Sequence, residues 1–155
     1  MALRFDRLFD PKQIAIDLHA TNQNDVVIEL AELLRTNGRV EALYEFADAV
    51  MQREARSSTN TGEGVAFPHA RTDLVEEIVV GIGRSKTGLQ FGHASPPVHL
   101  VFVVGVPQRL VTDYLICVGT IARLVKPRER WDALMNAGTA DEFADILRKG
   151  ALLLE

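Results

Sequence analysis

A single cysteine, Cys117, in 155 residues excludes an internal disulfide and any multi-thiolate metal site, and it fits a reducing compartment. A basic excess is missing too. The 17 Lys and Arg against 21 Asp and Glu leave a formal net charge of -4, so the chain has no general attraction for phosphate backbones or anionic membranes, and nucleic acid is not an expected partner. Long apolar runs are also lacking. The longest, Val98 to Val106, is interrupted by His99 and falls far short of the ~20 residues that span a bilayer. The N-terminal stretch MALRFDRLFDPKQ breaks its apolar residues with charges, unlike the apolar core of a signal peptide. Neither membrane insertion nor export is expected, and the cytoplasm is the simplest location.

Several catalytic patterns are absent as well. Gly62 and Gly64 lie two apart, but no Lys-Ser/Thr pair follows as in a phosphate loop, and no third glycine completes a dinucleotide turn. There is no HExxH pair and no Gly-x-Ser-x-Gly elbow, and the four histidines, His19, His69, His93 and His99, do not fall at metal-ligand spacing. Cys117 lies within an apolar helical pattern, where a thiol is normally inert packing. No metal and no cofactor are expected.

What is present is the composition of an ordinary globule, 47% hydrophobic and 25% charged, at a length that supports one domain with its own core, residues 1–155. Ile14, Ile16 and Leu18 alternate with Ala15 and Asp17 as in a short half-buried strand. Asn24 is then expected to cap a helix whose Val27, Leu30, Ala31 and Leu34 form one stripe, with Gly38 as its stop. Leu43, Phe46, Ala47 and Val50 repeat the spacing in a second helix that runs into Arg53 and Glu54.

The Ser, Thr, Asn and Gly of Ser57 to Gly64 predict an ordered loop, and Val65 to Phe67 a strand with His69 emerging at its end. Ile78 to Ile82 and Val98 to Val104 are the runs of strands covered on both faces. Leu110 to Val125 predicts a helix apolar on a wide face, and therefore central in the fold. Pro127 opens a short helix with Trp131 and Leu134. Thr139 with Glu142 is a capping box for a last helix through Arg148, which Gly150 is expected to end. The order of strand, two helices, strands and three helices predicts an α/β fold, a mixed central β-sheet flanked by helices on both faces in a single domain.

The segment TNTGEGVAFPHAR, Thr59 to Arg71, concentrates backbone freedom in front of one histidine. Pro68 stiffens the approach, the glycines permit close backbone approach, and Arg53 and Arg71 supply positive charge. Two readings stand side by side. His69 is either a turn residue bonded to backbone, with Ser57, Ser58 and Thr59 as loop hydrogen-bonders, or an acceptor for a covalently carried group such as phosphoryl. Transfer between two nitrogens needs chiefly alignment and charge stabilisation, which arginine and backbone N–H groups provide without a cofactor.

The ordered set Arg53-Glu54, Ser58-Thr59, Gly62, Gly64 and Val-Ala-Phe-Pro-His ending at His69, with Arg71 after it, resembles the active-site region of enzyme IIA domains of the bacterial sugar phosphotransferase system. The likeness is to the fructose and mannitol type that includes the nitrogen-regulatory enzyme IIA, and it covers the chain from about Leu18 through the last helix. It implies a cytoplasmic phosphoryl carrier, rather than a small-molecule enzyme, whose His69 receives phosphate on Nε2 from a histidine-containing phosphocarrier protein. It also implies that Arg53 stabilises the phosphate charge and that Ser58, Thr59, Gly62 and Gly64 form the phosphate-binding loop.

One position departs from the family, whose second histidine is matched here by Tyr114, a phenol that stays neutral near pH 7. Three roles follow from the resemblance. The first is a regulatory phosphocarrier acting on a target such as a kinase or transporter, the second is an interaction module that does not cycle phosphate, and the third is a sugar-specific subunit passing phosphate to an enzyme IIB. His93 and His99 are expected to be structural or surface residues.

Overall fold

Two β-branched runs form the centre of the molecule, and every other element is arranged around them. The structure, a computed structural model, describes residues 4–92 and 96–154. In chain order these form α1 (Phe5–Leu8), a 3-10 turn at Pro11–Gln13, β1 (Ile14–Ala15), α2 (Gln23–Thr36), α3 (Leu43–Arg56), β2 (Val65–Ala66), β3 (His69–Arg71), β4 (Val79–Leu89), β5 (Val98–Val106), a 3-10 turn at Gln108–Leu110, α4 (Val111–Val125), α5 (Arg128–Asn136) and α6 (Ala140–Leu153). His93 lies outside the described residues.

β4 and β5 pair antiparallel, with Ile82 opposite Phe102 and Val80 opposite Val104. β1 extends the sheet in parallel beside β4. Along the other edge of β5 two short strands lie in succession, both parallel to it: β2 with Val65 opposite Leu100, then β3 with His69 opposite Val104. The sheet is therefore mixed and five-stranded.

Side-chain alternation along β5 separates two cores. Leu100, Phe102, Val104 and Val106 join Cys117, Ile121 and Leu124 of α4 and Phe143 and Leu147 of α6 on one face. Val101 and Val103 join Val27, Leu30 and Leu34 of α2 and Phe46 and Val50 of α3 on the other, together with Val98, which lies beyond a register shift in the β4–β5 pairing. Helices thus cover both faces, as the nearly continuous apolar runs require. Gly105 shows how closely they approach, since a Cβ there would lie 2.8 Å from the Phe46 ring.

Local chemistry departs from the sequence expectation at several points. The cap of α2 is Asn22, whose side chain accepts from Asp25 N–H, while Asn24 is the second residue of the helix. Both residues offer the same chemistry, and the register of the buried stripe decides between them. Gly150 does not end α6, which runs to Leu153. It is a packing residue instead, because a Cβ there would stand 2.8 Å from Arg130 and 2.9 Å from Leu124.

The α4 helix is not central. Cys117, Ile121 and Leu124 are buried, but Leu115 and Ile116 are 64% and 54% exposed. His69 does not end the strand begun by Val65 either; Pro68 interrupts, and His69 opens β3. β4 continues well past Ile82, because Arg84 is buried at 2% exposure with its guanidinium donating to the carbonyls of Ile16, Leu134 and Ala137. A charged residue in a strand looked like an end but is a clamp between β4, the segment after β1 and the end of α5.

Candidate functional site

The end of α3 and the start of β3 meet beside the edge of the sheet. Arg53 and Arg56 lie three residues apart, a spacing that places both on one helix face, and with Gln52, Ser57, His69 and Arg71 they line an open cleft. Arg53 donates from Nη1 to the Ser57 carbonyl at 2.9 Å, which fixes the guanidinium at the helix end. Three arginines around one imidazole make a site for a multiply charged anion.

His69 is nearly buried, at 9% exposure. Its Nδ1 lies 3.0 Å from the Phe67 carbonyl oxygen. A carbonyl only accepts, so Nδ1 carries the proton and the lone pair of the neutral ring is on Nε2. Burial, the largest cause, pushes the imidazole below its ordinary value of 6.5; the Phe67 carbonyl opposes this, and the charge of Arg53 reinforces it. The ring is therefore neutral at pH 7, with one nucleophilic nitrogen of defined identity.

A buried relay holds the Phe67 peptide in place. The Glu54 carboxylate, 3% exposed, accepts from the Thr59 N–H at 2.8 Å and the Thr59 hydroxyl at 2.7 Å. The same hydroxyl accepts from Phe67 N–H at 3.1 Å. Glu54, Thr59 and Phe67 thus connect the end of α3 to the residue that orients His69. Reading the sequence for chemistry missed the role of Glu54, whose only signal there was its place in the Arg53-Glu54 pair, and it missed Arg56, which the three-residue spacing from Arg53 made findable.

The sequence-derived site residues separate into groups. His69, Arg53 and Tyr114 come together, the Tyr114 ring centroid standing 4.9 Å from that of His69 with the planes at 36°. Burial raises the Tyr114 phenol above its ordinary 10.0, so it is a donor throughout the neutral range. Ser58 is exposed and accepts from Asn60 N–H. Gly62 and Gly64 are not on the His69 cleft. Both have positive φ, +84° and +90°, and they line a second cleft with Trp131 and His99. Burial pushes the Cys117 thiol up to about 12, consistent with packing rather than chemistry.

This geometry suits reversible attachment of a phosphoryl group to Nε2. Residues 7–150 match the model of the family described as phosphoenolpyruvate-dependent sugar phosphotransferase system, EIIA 2. The chain belongs to this family.

Among EIIA relatives, the chain is 31% identical over 145 residues to a nitrogen regulatory protein of Bradyrhizobium diazoefficiens, covering 90% of this chain and 92% of that one. It is 26% identical over 148 residues to the PTS system fructose-specific EIIABC component of Bacillus subtilis, covering 95% of this chain but only 23% of that protein. The chain therefore spans about a quarter of that relative's length. Its fold is that of the nitrogen regulatory protein IIA-Ntr from Neisseria meningitidis, with a TM-score of 0.79 at 24% identity over 89% of this chain and 94% of that one. Among the described residues no helix is long and apolar enough to cross a membrane.

Proposed function

We propose that the chain, as one EIIA-type domain over residues 1–155, is a cytoplasmic phosphocarrier with a regulatory role, reversibly phosphorylated on Nε2 of His69 by a histidine-containing phosphocarrier protein. The observation that carries this reading is the hydrogen bond from His69 Nδ1 to the Phe67 carbonyl, because it leaves Nε2 as the nucleophile. In the transfer, the Nε2 lone pair forms the new N–P bond while the donor's N–P bond breaks and its electron pair returns to the donor imidazole. The proton on Nδ1 stays where it is, so no general base is needed. Arg53, with Arg56 and Arg71 beside it, offsets the charge of the transferring group.

Thr59 serves this site from behind, through Glu54 and Phe67, and Ser58 lies at the exposed edge of the loop. Phosphorylation adds about -1.5 to -2 charge to the surface, enough to change how a target such as a kinase or transporter docks. The likeness to a nitrogen regulatory protein across 92% of that protein's length supports the regulatory role. Similarity to a fructose-specific EIIABC component favours a second role, delivery of phosphate to an enzyme IIB of a sugar transporter.

Incubating the protein with phosphoenolpyruvate, the general phosphotransferase enzyme and its histidine carrier, then measuring intact mass, tests the proposal. One phosphoryl group should be gained by the wild type and none by His69→Ala. Equal labelling of that variant would overturn the assignment. Transfer onward to a purified EIIB domain separates the transporter role from the regulatory one.

A further inference from the structure

A second imidazole in this fold is held in the same way as His69. His99 in β5 has Nδ1 2.9 Å from the Ser85 carbonyl oxygen, so Nδ1 donates there and Nε2 is the ring nitrogen left without that bond. His99 lines a cleft of ≈ 460 Å³ between the Thr61–Gly64 loop and the end of α4, a volume within the usual range for small-molecule sites. The loop residue between its walls is Gly64. A Cβ there would lie 3.1 Å from Trp131 and 3.9 Å from His99, so the Trp131 ring packs directly against the bare backbone of the loop, with His99 beside it.

The other lining groups differ in kind. Lys126 and Arg128 bring two exposed cations, of which Arg128 also meets Asp132 at 3.4 Å in an exposed pair that contributes little. Glu63 brings a carboxylate and Trp131 an aromatic surface. Cations suit a phosphate, a carboxylate accepts from hydroxyls and an imidazole nitrogen hydrogen-bonds with them, and an aromatic face packs against the C–H face of a sugar ring. A bare inorganic anion would use only the cations and leave Glu63 opposing it.

We propose that this second cleft, lined by Glu63, Gly64, His99, Lys126, Arg128 and Trp131, binds a sugar phosphate. Phe67, which orients His69, also lines this cleft, but the cleft shares no residue with the lining of the His69 cleft, and the proposal does not depend on the phosphocarrier reading.

Trp131 is the chain's sole tryptophan, so its fluorescence reports on this cleft directly. Full-length protein would be titrated with glucose 6-phosphate and ribose 5-phosphate, and with glucose and inorganic phosphate as the separate halves. At least one sugar phosphate should give a saturable change, with both halves at least about tenfold weaker. Lys126→Glu/Arg128→Glu should lose at least about tenfold in affinity while keeping its circular dichroism and its phosphorylation at His69. His99→Leu should weaken binding without altering the phosphate preference, and His69→Ala should bind as the wild type does.

No saturable change up to about 10 mM, where only affinities too weak to matter remain, would overturn the proposal. So would undiminished affinity in the charge-reversed variant, or inorganic phosphate binding as tightly as either sugar phosphate. Failure of the phosphocarrier reading would appear elsewhere, as no gain of mass at His69, with these titrations unaffected.

Discussion

The Tyr114 ring packs against His69, with centroids 4.9 Å apart and planes tilted by 36°. A phenol in this place has one protonation state across the neutral range, because burial raises it above 10.0. It can donate to a phosphoryl oxygen but cannot exchange a proton with it at neutral pH. Tyr114→Phe keeps the ring contact and deletes the donor. Phosphorylation of His69 should slow by about tenfold, the worth of a hydrogen bond to a charged group, with thermal stability little changed. Rapid-quench kinetics beside a melting curve measure both, and an unaltered rate would show that the hydroxyl takes no part.

The depressed His69 value has a consequence for acid stability. In the unfolded chain the imidazole titrates near its ordinary 6.5, whereas in the native protein it is lowered, chiefly by burial. As pH falls below 6.5 the unfolded state therefore takes up the proton first. Stability is fully present above 6.5 and is lost as pH falls from there through the native value. Urea unfolding of wild type and His69→Gln between about pH 7.5 and about pH 5 should show the wild type losing stability more steeply. An NMR titration should place the native His69 midpoint below 6.5, and a midpoint above it would contradict the neutral nucleophile.

Glu54→Ala removes the acceptor of both Thr59 donors. About 1–3 kcal/mol of stability should be lost, the cost of leaving partly buried donors without partners. The rate of His69 phosphorylation should fall as well, since Phe67 loses its fixed position. Glu54→Gln retains an acceptor and should recover part of both. Loss of stability with an unchanged rate would separate the relay from the site.

Arg84 offers a contrast, because it is buried far from His69 and its guanidinium donates to three carbonyls. Arg84→Met should cost about 3 kcal/mol or more, since all three carbonyls would lose the guanidinium and Leu134 would keep only the Ala137 N–H. The fraction that remains folded should still accept phosphate at the wild-type rate. Denaturant unfolding and phosphorylation below the transition measure the two separately.

Cys117 is fully buried in the core beneath α4, and its thiol is pushed up to about 12. The thiolate that reacts with aromatic disulfide reagents is almost absent at neutral pH. Labelling should therefore be negligible in the native protein and rapid in about 6 M urea, well beyond the midpoint expected for a domain of this size. Rapid labelling of the native state would mean that α4 opens locally.

Much of the fold was legible because it rests on periodicity. The stripe of Val27, Leu30, Ala31 and Leu34 in α2 and the nearly continuous apolar run of β5 leave few alternatives, and the two cores lie where those patterns require. Local chemistry was harder to read. Asn22 and Asn24 are equivalent as caps until the helix register is known, and Gly150 stops nothing because its role is set by Arg130 and Leu124 across the interface.

The site divides along the same line. His69 and Arg53 were legible from the motif. The bond that selects Nε2 needed the Phe67 carbonyl in space, and the relay from Glu54 through Thr59 joins residues whose spacing announces nothing. Gly62 and Gly64 precede His69 in sequence but line the second cleft, with His99 and Trp131.

The most direct test of the account identifies the phosphorylated atom. Protein labelled with nitrogen-15 in its histidines, phosphorylated through the carrier chain and examined by two-bond proton–nitrogen correlation, distinguishes Nε2 from Nδ1 and His69 from His99. The account predicts a single phosphorus on Nε2 of His69, with Nδ1 still protonated. Phosphorus on Nδ1, on another histidine, or on none beside a working EIIA control would contradict it.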